Sequence, residues 1–240
     1  MRHRYLSVLS ALPLAAAAVG VGLSVQAPPA NAAETSRHED RYARDAQDRV
    51  NDAVNVVEQM KQDPGLAHLL RDARGVFIIP HFGKGGFIIG GQGGTGVVLA
   101  HRHDKWSDPA FFDVGGATIG AQAGGEKGSV VMLLMTDRAL DHFENTRNKW
   151  SLGASAGLTV VKYSGNAHAQ AGRGDVIVWT DARGLYGGLT AGVTDITPSS
   201  KLDHAYYQQP ASAHEILSGN VTNSASDPLR DALLTRVASK

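Results

Sequence analysis

From Arg74 to Ile196 the chain alternates small residues with apolar ones in several short runs. Leu152, Ala154, Ala156, Leu158 and Val160 fall on one side of an extended segment, with Gly153, Ser155, Gly157 and Thr159 on the other. Leu185 to Val193 repeats the pattern, with Tyr186, Gly188, Thr190 and Gly192 opposite Leu185, Gly187, Leu189, Ala191 and Val193. A period of two marks a β-strand with two unlike faces. Glycine weakens strands, so its repeated use points to tight bending or to close approach of another surface. The pattern predicts strands over 75–79, 87–89, 96–103, 111–114, 117–123, 129–135, 152–163, 167–171, 176–180 and 185–196. The glycine runs Gly83–Gly86 and Gly90–Gly94 read as turns between them, and Asp181–Gly184 as a hairpin connection.

Helical spacing frames this region. Ala43, Ala46, Val50, Ala53, Val54, Val57 and Met60 recur at intervals of three and four, which predicts one helix over 34–60. Asp63-Pro64-Gly65 breaks it, and a short helix follows over 66–71. Thr136 is an N-cap for an inserted helix over 137–143, with Asp137 at its positive end. Ser212 and Glu215 match a capping box, and Pro228 suits the first turn of a last helix. Strands do not alternate regularly with long helices, so a doubly wound parallel sheet is not expected. The expected fold class is α+β: an antiparallel β-sandwich or barrel-like sheet with N-terminal, inserted and C-terminal helices.

The first residues read as a targeting segment. Arg2, His3 and Arg4 precede an apolar, alanine-rich stretch, and Ala30-Asn31-Ala32 offers a signal peptidase site. The expected layout is a signal peptide at 1–32, a helical segment at 33–72, a β-rich core at 73–218 and a helical tail at 219–240. Export to a periplasmic or secreted location, peripheral to a membrane, follows. The chain has no Cys, which rules out disulfides, thiolate metal sites and a cysteine-linked lipid anchor. Basic and acidic side chains balance at 23 each, which gives no global attraction to nucleic acid.

Several motifs tempt by letter. Gly91-Gln92-Gly93-Gly94-Thr95-Gly96 fits a dinucleotide fingerprint, but Val97-Val98-Leu99 continues as a strand where a helix is needed. Gly153-Ala154-Ser155-Ala156-Gly157 fits a nucleophile elbow, with Asp175 or Asp181 and then His204 or His214 in hydrolase order. Ser155 sits mid-strand, however, and an elbow places its serine before a helix. His101 and His103 could share a strand face, though a metal needs a further ligand. The reading is therefore no catalytic residue, no metal and no cofactor. A serine hydrolase using Ser155 remains an alternative, as does an envelope structural or protein-interaction module. An outer-membrane barrel fits poorly with helical ends and a 6% aromatic share.

The ordered pieces together resemble the SYLF domain family. They are Asp72-Ala73-Arg74-Gly75-Val76, Lys84-Gly85-Gly86-Phe87, Gly90 to Gly96, Gly120-Ala121-Gln122-Ala123-Gly124, and Leu134-Met135-Thr136 with Ala139-Leu140 and Phe143. Arg183 to Gly188, Tyr206-Tyr207 and Glu215-Ile216-Leu217 complete them, so the resemblance covers about residues 41–218. It implies a non-enzymatic module that binds membrane lipids. Eukaryotic members bind phosphoinositides through a basic N-terminal segment, and some bind actin. Here the segment from Arg37 to Asp63 carries seven acids against five bases, which offsets attraction to an anionic leaflet. Packing of that helix on the core is expected instead, and actin is not expected as a partner. The expected ligand is a membrane phospholipid. Its headgroup contacts would be Lys84, Arg102, Lys105, Arg41, Arg44 and Arg49. Lys84 leads because its glycine neighbours would let backbone N–H groups approach a phosphate beside the ammonium.

Overall fold

The computed structural model describes residues 30–86, 89–119, 124–152, 156–165, 170, 172–182 and 193–234. Two helices open it, α1 (Ala30–Met60) and α2 (Pro64–Asp72). The long strands β1 (Gly75–Gly86) and β2 (Ile89–Arg102) follow, then β3 (Lys105–Trp106), β4 (Ala110–Ile119) and β5 (Gly124–Leu134). Next come α3 (Asp137–Glu144), β6 (Trp150–Ser151), β7 (Val160–Lys162), β8 (Val176–Thr180) and β9 (Val193–Pro198). The helices α4 (Ser200–Tyr207), α5 (Ala213–Leu217) and α6 (Asp227–Leu233) end it.

The strands form one sheet in the order β6-β9-β4-β2-β1-β5-β8-β7, with β3 paired to β2. The fold is α+β with a curled, barrel-like sheet; the sandwich alternative is set aside because a single sheet carries all the described strands. Its pairs are antiparallel except β7 with β8, which run parallel. That departure arises because 152–163 is not one strand. Gly157 takes a left-handed φ of 66°, and the N–H of Thr159 donates to the Asp175 carboxylate at 2.8 Å before the chain rejoins the sheet. The glycine runs read as turns lie inside strands: Gly83–Gly86 belongs to β1 and Gly90–Gly94 to β2. Ala167–Ala171 and most of 185–196 fall largely outside the described residues, as does the Arg183-Gly184 end of the expected hairpin.

A bulge in β1 sets the curl. Its register shifts by one residue between Ile78 and Gly83 against β2, and between Ile79 and Phe82 against β5. Pro80 sits at this bulge, where a central strand can tolerate a residue with no N–H. The bulge carries the β1 carbonyls over β2. A Cβ at Gly94 would stand 2.5 Å from the carbonyl oxygen of His81, and one at Gly96 would overlap that of Ile78. Those two positions are glycine because backbone occupies the space of a side chain.

Residues paired across strands share a face. One face carries Phe77, Phe112 and Trp150, and Phe143 of α3 meets each of the three edge-on at 5.1–5.2 Å. The other face carries Phe111, which meets Tyr206 of α4 at 5.3 Å. Burial on both faces explains why Val76–Ile79 and Val130–Leu134 are continuously apolar and fully buried rather than alternating. Helix α1 lies against β1 and β2 and against α4 and α6. Its stripe of Ala46, Val50, Ala53, Val57 and Met60 is buried, as the spacing predicts. The sequence missed α4, whose N-cap Ser199 makes no side-chain capping bond.

Asp203 ties α4 to the sheet. Its buried carboxylate accepts the N–H of Phe111 at 3.0 Å, while the N–H of Ser199 donates to the carbonyl of Phe111 at 2.9 Å. Burial pushes the Asp203 carboxyl up to about 7, against the opposing pull of the Phe111 N–H and with help from the Asp113 charge. A raised carboxyl binds its proton more tightly when folded, so its contribution to stability falls as pH rises from about 4 to about 7 and is flat above. Asp203→Asn, which keeps an acceptor for Phe111, is expected to be more stable than wild type at pH 8 by about 2 kcal/mol, with the gap closing towards pH 4 in urea melts. Gly96→Ala is expected to lose about 2–3 kcal/mol, whereas Gly115→Ala, which meets open space, changes by less than about 1 kcal/mol in the same melts.

Candidate functional site

The six basic residues singled out from the sequence occupy three separate places. Arg102 and Lys105 meet at the β2–β3 hairpin. They are direct lateral partners, so both cations leave the same side of the ribbon. The two turn residues, His103 and Asp104, both adopt left-handed φ values, 51° and 60°. This matches the primed turn that suits a two-residue hairpin, made here without the usual glycine. On the opposite side of the ribbon His101 stacks on Trp106 at 4.4 Å, and its Nδ1 reaches the carbonyl of Ala73 at 3.0 Å. The hairpin is thus held from beneath while its cations face outward.

A cavity of about 530 Å³ opens beside it, lined by Arg102, His103, Lys105, Ser218, Thr222 and Arg230. Asp108, 1% exposed, forms its foundation. Its carboxylate accepts from the N–H of Asn223 at 3.1 Å, from the hydroxyl of Ser226 and from Arg230 at 3.3 Å. These bonds fasten the C-terminal segment to the strand and bring Arg230 to the groove. Arg102 pairs with the buried carboxylate of Glu144 at 2.5 Å, and that hydrogen bond is the main cause holding its guanidinium pKa above the ordinary value. Each guanidinium has five N–H donors, so one carboxylate partner leaves others to face the cavity. Lys105 is exposed and has no ion-pair partner among the described residues. Lys105 and Arg230 also border a second cavity of about 330 Å³ that carries Asp104, Asp227 and Asp231. The first groove offers cations and hydroxyls, the groups that recognise an anion.

Lys84 lies elsewhere. Its lateral partners are Gln92 on β2 and Glu126 on β5, and it is 8% exposed. Gln92 and Arg102 stand ten residues apart on β2, roughly 30 Å along the strand. The neighbours Gly83, Gly85 and Gly86 pair with strands on both sides, so their backbone groups serve the ladder rather than a phosphate. Arg41, Arg44 and Arg49 lie on α1. The Arg41 guanidinium contacts His38 at 3.1 Å and stands 5.8 Å above the ring of Tyr42.

Ser155 lies outside the described residues, and the acids proposed to serve it are engaged. Asp175 accepts from Thr159 N–H, Arg138 and Thr136, which hold its carboxyl below the usual range, the Thr159 bond foremost. Asp181 accepts the N–H of Ser129 at 2.8 Å. Sequence reasoning missed Arg230, Ser218, Thr222 and Glu144. The capping box and Pro228 announce helices near them, but nothing local says that those helices fold back onto the hairpin.

Residues 115–236 match the family described as "Ysc84: Las17-binding protein actin regulator". The chain belongs to the Ysc84 (SYLF) family. It is 30% identical over 163 residues to SH3 domain-containing YSC84-like protein 1 of Bos taurus, covering 66% of this chain and 47% of that protein. It is 28% identical over 176 residues to Protein YSC84 of Saccharomyces cerevisiae, 70% of this chain and 37% of the relative. LAS seventeen-binding protein 3 of the same species is 29% identical over 175 residues, 70% of this chain and 38% of the relative. The chain thus spans about half, or less, of the length of these curated relatives. No solved structure matches.

These names correct one expectation. Actin was set aside because α1 is acid-rich, yet the Ysc84 family is described as an actin regulator and a yeast relative is named for binding Las17. Replacing Asp104 by glycine is expected to stabilise the hairpin by about 0.5–1 kcal/mol, read as a raised melting temperature, because glycine adopts the left-handed turn without strain.

Proposed function

We propose that this Ysc84-family chain is a non-catalytic binding module that docks on anionic phospholipid headgroups at a membrane surface after export of the chain. The observation that carries the reading is the convergence of Arg102, Lys105 and Arg230 with the Ser218 and Thr222 hydroxyls on one open groove. Guanidinium groups match phosphate geometry, and the hydroxyls supply further hydrogen bonds. No helix among the described residues is long and apolar enough to cross a membrane, so the reading rests on surface contact. The same binding character supports a second reading, favoured by the family description: the partner is a protein of the actin system, bound by a Las17-like segment or by the filament itself.

Cosedimentation separates the two. Phosphatidylglycerol vesicles are expected to capture the wild type, and phosphatidylcholine vesicles to leave it in solution. Arg102→Ala with Lys105→Ala should reduce capture by about thirtyfold, at roughly 1 kcal/mol per cation, with loss on raising salt. Capture that is indifferent to both the substitutions and the lipid charge contradicts the headgroup reading. Pelleting with filamentous actin in the absence of lipid favours the second.

A further inference from the structure

A buried hydroxyl behind the anion groove has nothing to bond. Tyr206 of α4 is 5% exposed, and its phenol oxygen, cut off from solvent, has no hydrogen-bond partner among the described residues. Such a group is costly, because burial takes away its water and gives nothing back. The ring is fixed, meeting Phe111 edge-on at 5.3 Å and Tyr207 at 5.1 Å. The hydroxyl approaches that of Ser226 without bonding to it, and Asp108 is the strongest charge acting on it. Burial first, and that charge next, raise the phenol pKa, so the group stays protonated and able to donate.

Asn223 ties the two residues together. Its side-chain amide donates to the carbonyl of Tyr206 at 2.8 Å, while its N–H donates to Asp108 at 3.1 Å. One oxygen of Asp108 takes that N–H and the hydroxyl of Ser226. The other accepts from Arg230 alone among the described residues, at 3.3 Å, which is long for a charge-assisted bond. Arg230 also pairs with Asp227 and lines the groove. An anion that draws Arg230 towards itself therefore strips one oxygen of a carboxylate that is 1% exposed. A buried carboxylate deprived of its cation is strongly destabilising.

We propose that Tyr206 is a donor held in reserve: when Arg230 turns from Asp108 to an anion in the groove, the Tyr206 hydroxyl turns to the freed Asp108 oxygen. The inference rests on the anion-binding reading of that groove. Tyr206 touches no ligand. It is a positioning residue that lowers the cost of releasing Arg230. Its hydroxyl is unsatisfied when the groove is empty and satisfied when the groove is filled.

Tyr206→Phe removes the hydroxyl and keeps the ring. The variant is expected to melt no lower than wild type, because nothing is bonded to the oxygen it loses. It should bind phosphatidylglycerol vesicles about tenfold more weakly, the contribution of one hydrogen bond to a charged group. Unchanged capture overturns the proposal. So does a large fall in melting temperature, which would make the hydroxyl part of the resting fold. Urea melts of Arg230→Ala, Tyr206→Phe and the double variant test the same exchange without lipid. With Arg230 removed, Tyr206 already holds Asp108. The folding equilibrium constant of the double variant should then fall about tenfold further than the two single effects combined. Additive effects overturn the proposal. If wild type ignores phosphatidylglycerol, the groove reading fails, and the melts alone decide for or against the exchange.

Discussion

The contact on which the molecule depends is that of the β1 backbone over β2. One extra residue at Pro80 throws the carbonyls of Ile78 and His81 into the space where side chains at 96 and 94 would stand. Glycine at both positions lets the strands close, and the sheet curls instead of running flat. Because β1 pairs with β2 on one side and β5 on the other, the same residue count reaches both neighbours. The curl gathers Phe77, Phe112 and Trp150 around Phe143, and so fixes where α3 rests.

The sheet has two unlike ends. Where Val76–Ile79 meets Val97–Ala100 and Val130–Leu134, helices cover both faces and the side chains are buried. At the other end Gly85, Gly91 and Gly125 are exposed. The hairpin lies at the clad end and is anchored by Asp108, Glu144 and the carbonyl of Ala73. Lys84 lies in the glycine-rich half. The hairpin cations and Lys84 therefore sit at opposite ends of one scaffold, each supported by a different means: packed helices in one case, a paired backbone in the other.

Much of this was legible in the residues. The apolar stripe of α1, the Thr136 cap of α3, the Ser212–Glu215 capping box and the strand Val176–Thr180 all appear where their local chemistry puts them. Reading failed where a residue's role is set from far away. Gly90 to Gly94 signal a turn by local preference, and only the pairing with β1 shows them to be strand. Arg230 carries no motif; Asp108, more than a hundred residues earlier, brings it to Arg102 and Lys105. The six candidate cations were equivalent as letters, and they separate only when register and burial distinguish a paired hairpin, a lysine set between two paired strands and a solvated helix.

Helix α1 rests against α4 and α6, and Lys61 at its end donates to the carbonyl of Ala232 at 2.7 Å. Helix α1 thus finds partners far along the sequence, 171 residues away in the case of Lys61. Until those residues arrive, the side of α1 that meets them has no mate. Such wiring ties tertiary closure to contacts of long sequence separation, which form slowly and leave the helix available to chaperones in the interval.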